Sequence, residues 1–341
     1  QSAAVVRTAD GGCMKGSVSV CLRAGTLAFG SVALTLSASH IAACSGRSKC
    51  DVPSASMTLR GGGAEAIQMP PIMYGTAWKK ERTEELVTQA VTLGFRGIDT
   101  ACQPKHYYEP GVGAALAKLE QAGISRSSLF IQTKYTPIRG QDPNNVPYDT
   151  AATIPQQVQQ SVAVSLKNLN TSYIDSLVLH SPLPTHEENM AAWRVLETFV
   201  QQGVIGQLGI SNCYDLSVLQ AIAKEALVQP SVVQNRFYKD SNYDKDLRAW
   251  CKERGIKYQS FWTLTGNPHL LSSPPLRAAA KRLSKTPEQV LFAFVAHLGV
   301  TPLSGTTSVE HMKEDLQVFQ GGLGAPLDLT ADEITAISRL L

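Results

Sequence analysis

From residue 57 to the end of the chain, short apolar runs that finish on a polar residue alternate with longer segments of helical period. Val, Ile, Leu and Phe crowd the short runs, which predicts strands over 72–75, 95–99, 129–135, 176–180, 206–211, 231–235, 257–261 and 301–303. Between them the apolar positions recur at helical spacing, predicting helices over 81–93, 109–121, 154–169, 187–202, 216–226, 244–254, 287–298 and 310–319. A Pro-rich insertion carries an extra helix over 276–283, and a last helix over 331–340 closes the chain. Ahead of the first core strand, 57–59 and 64–67 flank Arg60-Gly61-Gly62-Gly63 and predict a small β-hairpin.

The strand runs are apolar enough to be buried on both faces, the mark of a parallel sheet. Doubly wound sheets alternate in the same way, but no G-x-G-x-x-G follows any strand. Eight near-equal strand–helix units over 57–341 favour one closed (β/α)8 TIM barrel, with an N-terminal β-hairpin and extra helices. Chemistry in such a barrel belongs at the C-terminal ends of the strands.

Residues 1–56 differ in kind: Ser, Ala and Gly dominate, acids are nearly absent and no period persists. From Met14 the order is a basic start, a mildly apolar middle and a small-residue close at Ile41-Ala42-Ala43-Cys44. An organelle transit peptide, a secretory leader and a passive disordered extension all fit, so this segment is excluded from the fold. Beyond it nothing approaches the ~20 apolar residues of a membrane span. The expected compartment is the cytoplasm, or a plastid or mitochondrion if 1–56 is a transit peptide. The net charge of +3 comes from scattered basic residues, which argues against a nucleic-acid groove and for a small-molecule partner. Cys102, Cys213 and Cys251 lie far apart in the body, match no zinc pattern and are expected as free thiols.

The predicted strand ends are too polar for packing alone. Strand one runs into Gly75-Thr76-Ala77-Trp78, strand two ends in Asp99, strand three in Lys134-Tyr135 and strand four in His180. Strands five to seven end in Ser211-Asn212, Gln234-Asn235 and Phe261-Trp262. Singly, Lys134 reads as a surface lysine and His180 as a core histidine; an acid, an amine and an imidazole on successive strand ends read as one site.

These residues carry a family resemblance. GFRGIDTA followed by E-x-x-V-G, with IQTKY, SLVLHSP, LGISN and VVQN, resembles the aldo-keto reductases over about 57–341. The resemblance implies an NAD(P)H-dependent oxidoreductase that reduces aldehydes or ketones to alcohols, with Asp99, Tyr107, Lys134 and His180 as the catalytic tetrad and no metal. It also implies a nicotinamide cradle of Ser211, Asn212 and Gln234 with Phe261 stacked on the ring, joined by Gly75, Thr76 and Ala77. The stretch SGTTSVEHMKED matches the segment that grips the adenosine phosphate, which places Ser304, Gly305, Thr306, Thr307, His311 and Asp315 there. The chemistry is consistent: hydride addition leaves charge on the carbonyl oxygen, so a proton donor must stand beside it. Lys134 is expected to lower the phenol's pKa, Asp99 to hold the ammonium and His180 to orient the carbonyl.

Two departures from the family pattern matter. The loop between Asp99 and Glu109 is two residues longer than usual, so counting does not place the tyrosine; HYYE selects Tyr107, with Tyr108 as the alternative acid and otherwise a pocket wall. Where relatives often grip the 2′-phosphate with a lysine and an arginine, Gly305 and His311 stand here with Lys313 nearby, so NADPH is the expected cofactor and NADH an open one. The chain ends soon after its last helix, which predicts an open pocket walled by Trp78, Tyr108, Tyr135 and Trp262, in a monomer. Two rivals are weighed: a cofactor-binding regulatory module of the same fold, like the potassium-channel β subunits, and a metal-dependent barrel hydrolase, which would need His and acid ligands clustered on strand ends.

Overall fold

A computed structural model describes residues 68–320 and 324–341. Segment 1–56 and the hairpin expected over 57–67 lie outside the described residues. Eight parallel strands, β1 (Met73–Gly75), β2 (Gly97–Asp99), β3 (Phe130–Tyr135), β4 (Ile174–Leu179), β5 (Ile205–Ser211), β6 (Val232–Arg236), β7 (Lys257–Phe261) and β8 (Val300–Ser304), close into a barrel in chain order. Register pairs Gly75 with Asp99, Asp99 with Gln132, Lys134 with Val178, Ser211 with Gln234 and Gln234 with Gln259. The predicted strand ends therefore share one rim.

Each strand is followed by helix: α1 (Thr83–Leu93), α2 (Glu109–Gln121), α3 (Ile154–Asn168), α4 (His186–Gln201), α5 (Leu216–Glu225) and α6 (Lys245–Glu253) after the first six. After β7 come α7 (Pro268–Leu271), α8 (Pro274–Leu283) and α9 (Pro287–His297); α10 (Val309–Val318) and α11 (Ala331–Ser338) follow β8. Local chemistry fixes several starts. Thr185, Thr286 and Thr330 each accept from the backbone of the Glu or Gln three residues on, whose side chain returns the bond, so a T-x-x-E/Q box opens α4, α9 and α11. Pro110 stands in the first turn of α2, where its missing N–H costs nothing.

Apolar side chains between strands and helices form the core; Tyr74, Phe95, Trp193, Phe292 and Phe294 are almost wholly buried, each contributing roughly 1.5–3 kcal/mol. Gly113 has a steric reason: a Cβ there would lie 2.0 Å from the Asn168 carbonyl oxygen, so α2 meets the end of α3 only without a side chain. Boundaries depart from expectation by small amounts. The short α7 was not legible in the Pro-rich insertion. Helix α1 begins only at Thr83, behind a 3-10 turn at Lys80–Arg82, because Trp78 and Lys80 take positive φ and delay it. No helix of the described residues is long and apolar enough to cross a membrane.

Candidate active site

The centre of the rim is a buried ion pair. Lys134 Nζ donates to Asp99 Oδ2 at 2.6 Å and to the Thr100 carbonyl at 2.8 Å, with both charged side chains almost fully buried. Asp99 Oδ1 accepts from Gln132 Nε2 at 2.8 Å and Gln234 Nε2 at 2.9 Å, and the same two amides donate to Gln259 Oε1 at 2.7 and 2.8 Å. Inward positions of a parallel barrel are usually filled by branched apolar side chains. Here three glutamines fill a layer and satisfy the carboxylate's remaining lone pairs, the condition under which a buried pair is tolerated. Burial pulls the Lys134 ammonium's pKa down, and the Asp99 carboxylate opposes that pull.

Above the pair stand a phenol and an imidazole. Lys134 Nζ lies 5.1 Å from the Tyr107 ring centroid, and the Tyr107 and His180 rings meet edge to face at 5.9 Å. His180 Nδ1 is 2.6 Å from Thr136 Oγ1, and burial, then the charges of Lys134 and His106, holds the imidazole well below its ordinary pKa. One expectation is corrected. The Tyr107 phenol is pushed up, not down, first by burial and then by the Asp99 charge. The hydrogen bonds of Lys134 go to Asp99 and Thr100, and among the described residues none joins its ammonium to the phenol.

Tyr107, not Tyr108, faces this group. Tyr108 immediately precedes α2, is 47% exposed and lies outside the cavity wall, so the pocket role expected for it is not met. Tyr135 is also absent from the wall: it is buried, its hydroxyl donates to Gln157 Oε1 at 3.3 Å and its ring packs on Tyr148. Strand alternation explains this, since Lys134 points inward and its neighbour must point out. Thr76 is fully buried behind the wall and donates to the Asp99 carbonyl at 2.9 Å, which makes it a support of β2.

A cavity of about 1030 Å³ runs from Tyr107 and His180 across Ser211, Asn212, Gln234 and Phe261 to Ser304 and His311. Gly75, Ala77, Trp78, Trp262, Gly305, Thr306, Thr307 and Asp315 also line it, where they were expected. Trp78, Asn212 and Trp262 have φ of 64°, 51° and 57°, a region bulky residues seldom adopt, and the two tryptophans are 63% and 53% exposed at the mouth. At the far end Ser304 Oγ donates to Asp315 Oδ2 at 2.6 Å, and burial raises the Asp315 carboxyl to about 6. His311 Nδ1 lies 3.5 Å from Thr306 Oγ1, whereas Lys313 is outside the wall and pairs with Glu310 at 3.7 Å.

Several lining residues were missed. Lys79, buried and donating to the Gly305 and Thr306 carbonyls, is brought down by burial to about 8. His106 stacks on Trp78 with centroids 4.0 Å apart. Arg236 follows Gln234 by two residues, and that period-two spacing was the one signal for it.

The donor set suits a dinucleotide. Gln234 Oε1 makes no hydrogen bond among the described residues and can accept from an amide; Lys79 supplies a cation near the β8 loop; and α10 opens just after Ser304 to Thr307 on the cavity wall, with open space beside Gly305.

A barrel whose C-terminal rim combines a buried acid–amine pair with a phenol and an imidazole belongs to the class of TIM-barrel enzymes that move protons at a small polar group. Residues 71–340 match the Aldo/keto reductase family. The methylglyoxal reductase DkgA of Yersinia pestis is 28% identical over 275 residues, covering 80% of this chain and 89% of that protein. An NAD/NADP-dependent indole-3-acetaldehyde reductase of Schizosaccharomyces pombe is 28% identical over 264 residues, covering 73% of this chain and 85% of that one. The crystal structure of an aldo/keto reductase from Brucella melitensis superposes with a TM-score of 0.65 at 24% identity, covering 80% of this chain and 95% of that chain. The chain belongs to the aldo/keto reductase family. It is an NAD(P)H-dependent oxidoreductase that reduces carbonyl groups to alcohols.

Proposed function

We propose that Tyr107 is the proton donor of this reductase, with His180 and the Lys134–Asp99 pair as its catalytic partners. The observation that carries the reading is the ammonium of Lys134 lying 5.1 Å from the Tyr107 ring centroid while paired to Asp99. When bound, the dinucleotide supplies the hydride. Tyr107 keeps its proton at neutral pH, because burial raises the phenol, and gives it to the carbonyl oxygen as negative charge develops there. The nearby ammonium then stabilises the phenolate left behind, an interaction that exists only once charge has moved. His180 is neutral, and in the tautomer whose Nδ1 accepts from Thr136 Oγ1 the ring proton sits on Nε2, free to hold the carbonyl oxygen.

Ser211, Asn212 and Gln234 hold the carboxamide, with Phe261 beneath the ring, in this reading. Gln234 Oε1 is the acceptor best suited to it, since its amide nitrogen is committed to Asp99 and Gln259. NADPH is the preferred nucleotide by a modest factor and NADH is also used: Lys79 and the imidazole of His311 lie on the adenosine wall, while Glu314 and Asp315 there oppose a 2′-phosphate. The half-exposed Trp78 and Trp262 suit small aldehydes, 2-oxoaldehydes and aryl aldehydes, substrates of the kind named for the relatives. The reading includes a monomer in a reducing compartment, in keeping with the free, buried Cys102, Cys213 and Cys251, and light scattering of the eluted protein tests its mass.

The test is nucleotide oxidation with methylglyoxal and 4-nitrobenzaldehyde. Tyr107→Phe should lower kcat about 10²-fold or more with nucleotide affinity kept, whereas Tyr108→Phe should leave kcat near wild type. Normal turnover by Tyr107→Phe would remove the proposed donor.

A further inference from the structure

The guanidinium of Arg236 has no acceptor among the described residues. Its guanidinium carries five N–H donors, and none makes a hydrogen bond or an ion pair among the described residues; Nε is both buried and unsatisfied. A structural arginine ordinarily finishes on acceptors, and a buried donor left open costs about 1–3 kcal/mol. What holds the side chain is aromatic. Cζ lies 3.9 Å from the Trp262 ring centroid, 5.1 Å from Tyr238 and 5.9 Å from Phe261. These rings hold the guanidinium by its cationic carbon and leave its N–H donors unspent, and such a fork can take phosphate or carboxylate oxygens two at a time.

Its place gives that edge a purpose. Arg236 is in register with Phe261 and stands two residues rimward of Gln234, roughly 7 Å along the strand. Gln234 touches Asp99 at the centre of the site, and Arg236 lines the same cavity as Tyr107 and His180. The acids of that wall are engaged or distant: Asp99 is paired to Lys134, Asp315 is bonded by Ser304, and neither Glu288 nor Glu314 comes within ion-pair distance of the guanidinium.

We propose that Arg236 is the anion anchor of this cavity, binding the oxygens of a phosphate or carboxylate on a ligand whose other end reaches Tyr107 and His180. The inference rests on the reductase reading for the nature of that ligand. Two sources share the chemistry: the diphosphate of the dinucleotide, and a carboxylate carried by the carbonyl substrate. Arg236 stands on the Gln234–Phe261 side of the cavity, which makes the diphosphate the expected source.

The test uses the full chain as wild type, Arg236→Leu and Arg236→Lys, with folding checked by circular dichroism. Nucleotide dissociation constants are read from tryptophan quenching, and kcat/KM is compared for 4-nitrobenzaldehyde and 4-carboxybenzaldehyde. Loss of charge-assisted bonds should weaken nucleotide binding about 10- to 100-fold in Arg236→Leu, with both aldehydes affected alike and Arg236→Lys intermediate. A fall of the same size confined to 4-carboxybenzaldehyde, at unchanged nucleotide affinity, supports the anchor and assigns it to the substrate. A folded Arg236→Leu with nucleotide affinity and the acid-to-neutral ratio both within about threefold of wild type overturns it. Wild type that reduces neither aldehyde but binds nucleotide through Arg236 would sink the reductase reading and leave the anchor standing.

Discussion

Replacing Lys134 by methionine removes the cation from a carboxylate that is itself about 2% exposed, without adding volume to the barrel interior. Breaking one side of a buried pair usually costs about 3–5 kcal/mol, because the remaining charge stays buried and unpaired. Asp99 keeps two amide donors, Gln132 and Gln234, on Oδ1, which places the loss at the lower end, about 3 kcal/mol. For a barrel of this size that is a fall in Tm of roughly 5 °C. Lys134→Met should also lower kcat by about 10²-fold or more through the loss of charge beneath Tyr107. Combining it with Asp99→Asn separates the two effects, since a neutral amide needs no counter-ion: most of the lost stability should return and kcat should stay low. Denaturant unfolding and steady-state kinetics on the two single variants and the double variant decide it. A Lys134→Met protein as stable as wild type would refute the pairing account, and a double variant that regains turnover would show that the pair only packs.

Three further outcomes are expected. Asp315 rises from an ordinary 3.8 to about 6 through burial, so the folded state binds more protons than the unfolded one between those values and its contribution to stability is lost as pH rises across that window. Asp315→Asn should remove that loss, by roughly 3 kcal/mol at most, and shift nucleotide preference several-fold towards NADPH; unfolding midpoints that keep the wild-type pH slope would count against it. Gln132→Leu takes one donor from Asp99 and one acceptor from Gln259, for a cost of about 1–2 kcal/mol that a melting curve would show; an unchanged midpoint would mean the glutamine layer is not under tension to stay bonded. Ser284, at φ 52° just past α8, sits where Lys285 N–H bonds the Ala280 carbonyl at 3.0 Å, so Ser284→Gly should stabilise by about 0.5–1 kcal/mol, and a lower Tm would contradict the strain assigned to that turn.

The barrel and the three strand-end residues at its centre were legible along the chain, because a parallel barrel delivers every strand's C-terminal end to one rim whatever the loops do. Asp99, Lys134 and His180 needed only strand periodicity to be brought together. Alternation within β3 also held the correction that sends Tyr135 outward, although the residues alone drew attention to its ring and not to its phase. The choice between Tyr107 and Tyr108 was of another kind. It depends on how a loop two residues longer than usual is taken up before α2, and a loop's path is set by contacts with β1 and β4 that no local pattern encodes. The phenol's raised pKa likewise follows from its burial in the assembled rim, and then from the Asp99 charge beneath it. Gln132, Gln234 and Gln259 lie 127 residues apart at most and read singly as ordinary strand polars; only closure of the sheet brings them round a carboxylate. Arg236 is the same case, since an arginine at a strand end is common and its lack of any acceptor is a property of the assembled wall. Spacing carries what recurs along one strand, while pairings across the barrel depend on closure, which the chain acquires only by folding.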